Sequence, residues 1–179
     1  MMLRIERVSE KTGNLKEIHR LYDASFPDDE RIPWKRIFSM LGETRRMYAY
    51  YDEDLFVGLG YLFIHKNIAY LGYLAVEEEL RGRGYGSEIL RCILQEMKAY
   101  KTVIDIEVVD EKAENYEERL KRKNFYLHSG FEPTGVGYYF YNVDYELLSA
   151  NGRVSAEEYR NLILEHWGPI AANAVFKKL

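Results

Sequence analysis

Three β-rich runs that end in a glycine-studded turn and a long amphipathic stretch do most to limit how this chain can fold. The runs cover residues 47–51, 55–64 and 68–76, and Asp52-Glu53-Asp54 and His65-Lys66-Asn67 separate them. Short polar separators between β-rich runs predict antiparallel hairpins. Arg81-Gly82-Arg83-Gly84-Tyr85-Gly86 follows the third run. Over residues 84–100 the apolar positions then fall in helical rows, with Ile89, Ile93 and Met97 in one and Leu90 and Leu94 in the next. The chain must therefore leave a strand, turn through glycines and start a helix within a few residues.

The flanking segments fit around this block. Residues 3–8 read as a short strand, 14–26 as a helix with Asn14 placed to cap it, and 34–41 as a second helix after the polar loop from Pro27 to Pro33. Residues 102–109 read as a strand, and 113–129 as a helix stopped by Gly130. Residues 136–148 hold one or two final strands. In 155–167 Ser155 and Glu158 form a capping box at the head of a last helix. The expected order is β-α-α-β-β-β-α-β-α-β, a mixed α/β fold with a largely antiparallel central sheet flanked by helices. At 179 residues the chain suits a single domain over 1–179, with a helical extension from about 151 that either packs on the domain or builds a homodimer interface.

Composition narrows the function classes. A net charge of −4 argues against broad nucleic-acid binding, because a phosphate backbone calls for a basic surface. No apolar run is long enough to span a membrane, and Met1 to Val8 has no signal-like character, so a cytoplasmic protein is expected. Cys92 is the single cysteine; it excludes an internal disulfide and reads as packing beside the helical stripe. The four histidines lack metal-ligand spacing, so no metal is expected. Tyrosine is over-represented at 16 residues, which suits either a half-wet cleft or ordinary strand packing.

The glycine turn carries the chemistry. Alternating glycines remove side chains, so backbone N–H groups can face an anion. The following helix adds its unpaired N–H groups and the positive end of its dipole. Arg81 and Arg83 add charged donors. Two commoner phosphate motifs fail. No lysine follows Gly86, as a P-loop would need, and Gly82, Gly84 and Gly86 lack the dinucleotide-fold spacing.

At these residues the chain resembles the GNAT superfamily of N-acyltransferases, whose Gln/Arg-x-x-Gly-x-Gly/Ala signature lies between its fourth strand and third helix. Phe125-Tyr126-Leu127-His128-Ser129-Gly130-Phe131 is similar to the family's second signature, Leu-Tyr-x-x-x-Gly-Phe. The resemblance implies acetyl-CoA as cosubstrate. It assigns the CoA contacts to Leu74, Ala75 and Val76 on the strand and to Arg81, Gly82, Arg83, Gly84, Tyr85, Gly86 and Ser87 in the loop and helix start. It makes Tyr126 the donor to the departing thiolate. The asparagine that relatives often carry seven residues earlier is Arg119 here, and the glutamate that some carry on the strand before the loop is Tyr70.

An amine acceptor must lose a proton before it attacks, since a lysine-like amine has a pKa near 10.4. Glu30 in the 25–33 loop and Glu107, which alternates with Asp105, are the candidate carboxylates. No Ser/His/Asp arrangement is readable, so direct attack by an amine held beside the thioester is the simpler mechanism. Positioning of this kind contributes ~7–11 kcal/mol. A backbone N–H near Leu74 to Val76 would stabilise the oxyanion. The expected function is N-acetylation of a primary amine on a small molecule or peptide. The alternative is a CoA-binding sensor or interaction module without transfer activity.

Overall fold

The structure, a computed structural model, describes residues 2–28, 31–140 and 142–175. The elements run β1 (Arg4–Arg7), α1 (Leu15–Ser25), α2 (Trp34–Ser39), β2 (Arg45–Asp52), β3 (Leu55–His65), β4 (Ile68–Val76), α3 (Tyr85–Glu96), β5 (Lys101–Glu107), α4 (Tyr116–His128), β6 (Glu132–Phe140), β7 (Val143–Ala150) and α5 (Ala156–Val175). They build a seven-stranded sheet in the order β1-β2-β3-β4-β5-β7-β6. The β1–β2, β2–β3, β5–β7 and β6–β7 pairings are antiparallel, whereas β4 meets β5 in parallel. The expected mixed, mostly antiparallel fold is present. The one or two final strands expected over 136–148 are two, paired as the β6–β7 hairpin, and the expected last helix is α5.

The chain forms two compact units. One holds the chain up to Ile64 together with Leu71–Glu96; the other holds His65–Tyr70 and the chain from Met97 on.

In the first unit, α3 lies against two glycines of β3. A Cβ on Gly58 would stand 2.4 Å from the Ala75 carbonyl oxygen and 2.8 Å from Ile89 Cδ1; one on Gly60 would stand 3.1 Å from Ile93 Cδ1. These gaps let Ile89, Leu90, Cys92 and Ile93 bury themselves, so Cys92 is a packing residue as expected. Gly58→Ala should therefore cost about 2 kcal/mol or more, because a backbone carbonyl cannot yield as a flexible side chain can. A denaturant titration would check this.

Helix α1 begins without the side-chain cap expected of Asn14. The Asn14 carbonyl instead accepts from Glu17 and Ile18 at 3.1 Å each. Burial of Ile18, Leu21 and Tyr22 is enough to hold the helix in place.

In the second unit, Lys101 donates its backbone N–H to Asn67 O at 2.8 Å and opens the β4–β5 pairing. That pairing explains why α3 ends at Glu96 and not near Tyr100: the chain needs Met97 to Tyr100 to turn into β5. Helix α5 packs Tyr159, Leu162, Ile163 and Ala172 around Ile68, Val103, Leu147 and Val154. Its capping box forms as the sequence predicts. Glu158 N–H donates to Ser155 Oγ at 3.2 Å, and Ser155 N–H donates to Glu158 Oε2 at 2.9 Å. The expected helix end at Trp167 coincides with a kink at Gly168 (φ 83°), followed by Pro169. Among the described residues, no helix is long and apolar enough to cross a membrane.

Candidate functional site

In the first unit β4 leads into the glycine turn. Glu77 anchors its start: its N–H donates to Val57 O at 3.0 Å, and its buried carboxylate pairs with Arg20. A single 3-10 turn, Glu78–Leu80, follows. Gly82 and Gly84 then take φ of +75° and +88°, the left-handed region that other residues enter at a cost. A Cβ at either would meet nothing within 4 Å, so glycine is required there by backbone conformation and not by crowding.

Helix α3 opens immediately after the turn. Glu88 N–H donates to Gly84 O at 3.1 Å, so the amides of Tyr85, Gly86 and Ser87 come before any intrahelical acceptor. Tyr85 is fastened to β2 by its hydroxyl, which donates to Asp52 Oδ2 at 2.7 Å. Arg81 Nε donates to Val76 O at 3.3 Å. Arg81 and Arg83 are exposed. The stretch from Leu74 to Ser87 is therefore continuous and held at both ends. It offers backbone donors, a helix dipole and two guanidiniums, as a pyrophosphate needs.

The loop after α1 is stapled onto β4 in the same unit. Tyr22 donates to Ile32 O at 2.9 Å, and Ile32 N–H donates to Tyr73 OH at 3.1 Å. Arg31 donates to Phe26 O at 2.8 Å and pairs with Asp23 and Asp28. The rings of Tyr22, Phe26, Trp34 and Tyr73 pack into an aromatic wall with centroids 4.8–5.9 Å apart. Tyr61 extends this wall. Its buried hydroxyl has no partner among the described residues, and burial pushes its phenol up to about 12. Glu30 lies outside the described residues. A cavity of about 670 Å³, lined by Trp34, Phe38, Arg7 and Arg45 among others, lies at the Arg45 end of β2, whereas Tyr85 is fastened at the Asp52 end.

Tyr126, in the second unit, owes its setting to the end of α4. Gly130 takes φ +90°, Phe131 N–H donates to Tyr126 O at 3.1 Å, and Gly130 N–H donates to Leu127 O at 3.2 Å. This is a Schellman cap, in which the residue after the glycine packs on the residue five positions before it. Phe131 does so, edge-on to Tyr126 at 5.6 Å. The Tyr-x-x-x-Gly-Phe spacing is thus the spacing of a helix stop that pins the tyrosine. Burial pushes the Tyr126 phenol up to about 12, so it stays a proton donor at neutral pH.

Glu107 lies in the same unit, at the end of β5. Arg119 reaches it at 2.9 Å and Arg122 at 3.3 Å. Arg119 also donates to Asn115 Oδ1 at 2.7 Å and to Val108 O at 3.0 Å. Two guanidiniums thus occupy the Glu107 carboxylate. Asp105, two residues earlier, takes hydrogen bonds from Tyr70, Tyr138 and Tyr159. This cluster joins β4, β5, β6 and α5. Its sequence signals were the Asp105–Glu107 alternation and Tyr70 taken singly; that they meet was not legible, because its tyrosines come from three distant segments. Elsewhere Tyr22, Tyr50, Tyr51 and Tyr61 are fully buried, so core packing claims much of the tyrosine excess. Among the described residues no group of acidic, histidine or cysteine side chains could hold a metal ion.

Comparison with known proteins bears on the family and the fold. The family model described as an acetyltransferase (GNAT) domain matches residues 43–133. That interval holds the glycine loop, Glu107 and Tyr126. No curated protein matches by sequence. Among solved structures, a Bacteroides thetaiotaomicron protein assigned to the GNAT family of acetyltransferases aligns at TM-score 0.77 and 21% identity, over 93% of this chain and 99% of that one. The Escherichia coli ribosomal-protein-S18-alanine N-acetyltransferase aligns at TM-score 0.64 and 14% identity, over 86% and 96%. A GNAT family acetyltransferase from Elizabethkingia anophelis, solved with acetyl-CoA bound, aligns at TM-score 0.56 and 16% identity, over 83% and 97%.

Proposed function

Given that this chain belongs to the GNAT acetyltransferase family, with acetyl-CoA as its cosubstrate, we propose that it transfers the acetyl group to a primary amine by direct attack in a ternary complex. The glycine loop at the head of α3 carries this reading. Its positive-φ glycines and leading amides suit the CoA pyrophosphate, with Arg81 and Arg83 as charged donors. An amide of Leu74, Ala75 or Val76 stabilises the developing oxyanion. Tyr126 donates to the departing thiolate. Glu30 and Glu107 are the carboxylates proposed from sequence to bind or deprotonate the acceptor. For Glu107 the role requires release from Arg119 and Arg122.

The aromatic wall around Tyr73 favours a small aromatic or cationic amine as acceptor. A second reading, a CoA-binding module without transfer, draws support from the ion-paired state of Glu107 and from Tyr70 in place of a glutamate. Turnover separates the two. The protein is incubated with acetyl-CoA and either tyramine, spermidine or an alanine-initiated tetrapeptide, and thiol release is followed. Release that depends on one of these amines supports transfer. Tight acetyl-CoA binding with no release from any of them supports the binding module.

A further inference from the structure

The cavity at the Arg45 end of β2 reverses the charge of the chain as a whole. The chain carries a net charge of −4. Around this hollow stand Arg7, Lys35, Arg45 and Arg46, and Glu10 is the one carboxylate among its described lining residues. The fold gathers the cations from three elements of the first unit. β1 pairs antiparallel with β2, and Val8 N–H donates to Met47 O at 2.8 Å, so Arg7 at the end of one strand comes beside Arg45 and Arg46 at the start of the other. Helix α2 contributes Lys35.

The cations are held from outside the hollow. Arg7 donates to Gly42 O at 2.9 Å and to Glu43 Oε1 at 3.0 Å. Both bonds run through Nη2, which leaves Nε and Nη1 for another acceptor. Arg46 Nε donates to Glu43 O at 2.9 Å. The Glu43 carboxylate also pairs with both guanidiniums, but it is 81% exposed, and ion pairs of that kind contribute little. Arg45 lies over the Phe63 ring at 6.0 Å and donates to Met40 Sδ. Lys35 is exposed. Cations gathered around one hollow repel one another and concentrate anions there.

Another wall of the cavity is aromatic. Trp34 and Phe38 on α2 stack at 5.8 Å with their planes 29° apart, and both are half-buried. They offer apolar area to a flat ligand. The volume of about 670 Å³ falls within the ~300–1,000 Å³ of small-molecule sites. Arg45 and Asp52 are the two ends of the eight-residue strand β2, roughly 23 Å apart along it. Tyr85 fastens the glycine turn at the Asp52 end, so the cavity is separate from the proposed pyrophosphate grip.

We propose that this cavity binds a small aromatic anion, a flat ring bearing one carboxylate or phosphate group, at a site distinct from that of acetyl-CoA. Guanidiniums hold two oxygens of either group at once. The ring lies against Trp34 and Phe38.

The test is calorimetric titration of phenylacetate, phenyl phosphate and the neutral benzyl alcohol into the protein. At least one anion should bind about tenfold or more tightly than benzyl alcohol. Its affinity should weaken as salt is raised. Tighter binding of phenylacetate assigns a carboxylate ligand, and tighter binding of phenyl phosphate a phosphate monoester. Lys35→Glu and Arg45→Met should each weaken the anion by about tenfold. Lys35 is exposed, so Lys35→Glu stands as the test even if Arg45→Met unfolds. Saturating acetyl-CoA should leave the anion's affinity unchanged. Anions bound no more tightly than benzyl alcohol, or an affinity untouched by Lys35→Glu, overturn the inference. Competition with acetyl-CoA would place the anion in the cosubstrate site and overturn it as well.

Discussion

Acetyl-CoA affinity should fall by about a hundredfold or more when Gly84 is replaced by glutamate, while Gly84→Ala should leave it within a few-fold. Two effects separate here. Any Cβ at φ +88° strains the backbone by ~1–2 kcal/mol. That strain is present with and without ligand, so it lowers folding stability and not affinity. The carboxylate adds a charge within reach of the pyrophosphate. Two unit charges about 5 Å apart at an effective dielectric near 20 repel by ~3 kcal/mol. Each 1.4 kcal/mol is about a tenfold change in binding. Calorimetric titration with acetyl-CoA, with a thermal melt of each variant, reads both quantities. Steric failure is not expected, since nothing lies within 4 Å of a Cβ at this position. Unchanged affinity in Gly84→Glu would remove the pyrophosphate from this loop.

Tyr126→Phe should lower kcat by one to two orders of magnitude and leave the KM for acetyl-CoA nearly unchanged. The variant keeps the ring that packs on Phe131, and it keeps the backbone Schellman cap, so fold and cofactor binding survive. It loses only the hydroxyl proton. The effect belongs at the low end of acid catalysis, about 10–100-fold, because a thiolate whose conjugate acid lies near 8.5 is already a fair leaving group. The sign with pH follows from the acid role. An acid works while protonated, and burial pushes Tyr126 up to about 12, so its activity should hold through mildly alkaline pH and fall only as pH approaches that value. A parent kcat profile that falls between about pH 8 and 10, and a Tyr126→Phe variant without that fall, would assign the limb to Tyr126 and contradict the burial argument. Equal loss in kcat and in acetyl-CoA affinity would make Tyr126 a binding residue.

Local chemistry made much of the candidate site readable from residue order alone. The β4–turn–α3 unit depends on strand propensity, on glycines able to take positive φ and on a helical apolar stripe, all within about thirty residues. The Tyr126 setting is equally local: Gly130 stops α4 and Phe131 folds back on the tyrosine. The capping box of Ser155 and Glu158 needs only three residues of spacing. Such features are legible because the partners are neighbours in the chain, and few backbone conformations satisfy them.

Tertiary structure decided what depends on distant partners. Asn14 could have capped α1, but the helix is held by packing of Ile18, Leu21 and Tyr22. The extent of α3 was set by where β5 must begin, a matter of Asn67 accepting from Lys101. Glu107 and Asp105 look alike in sequence, as alternating acids on one strand. Only folding gave one two arginines from α4 and the other three tyrosines from β4, β6 and α5. The physical reason is range. Turns, caps and stripes are short-range choices among a few backbone states, and residue order determines them. The environment of a carboxylate is a long-range sum of burial, hydrogen bonds and charge, and here the strands and helices packed around β5 decided it.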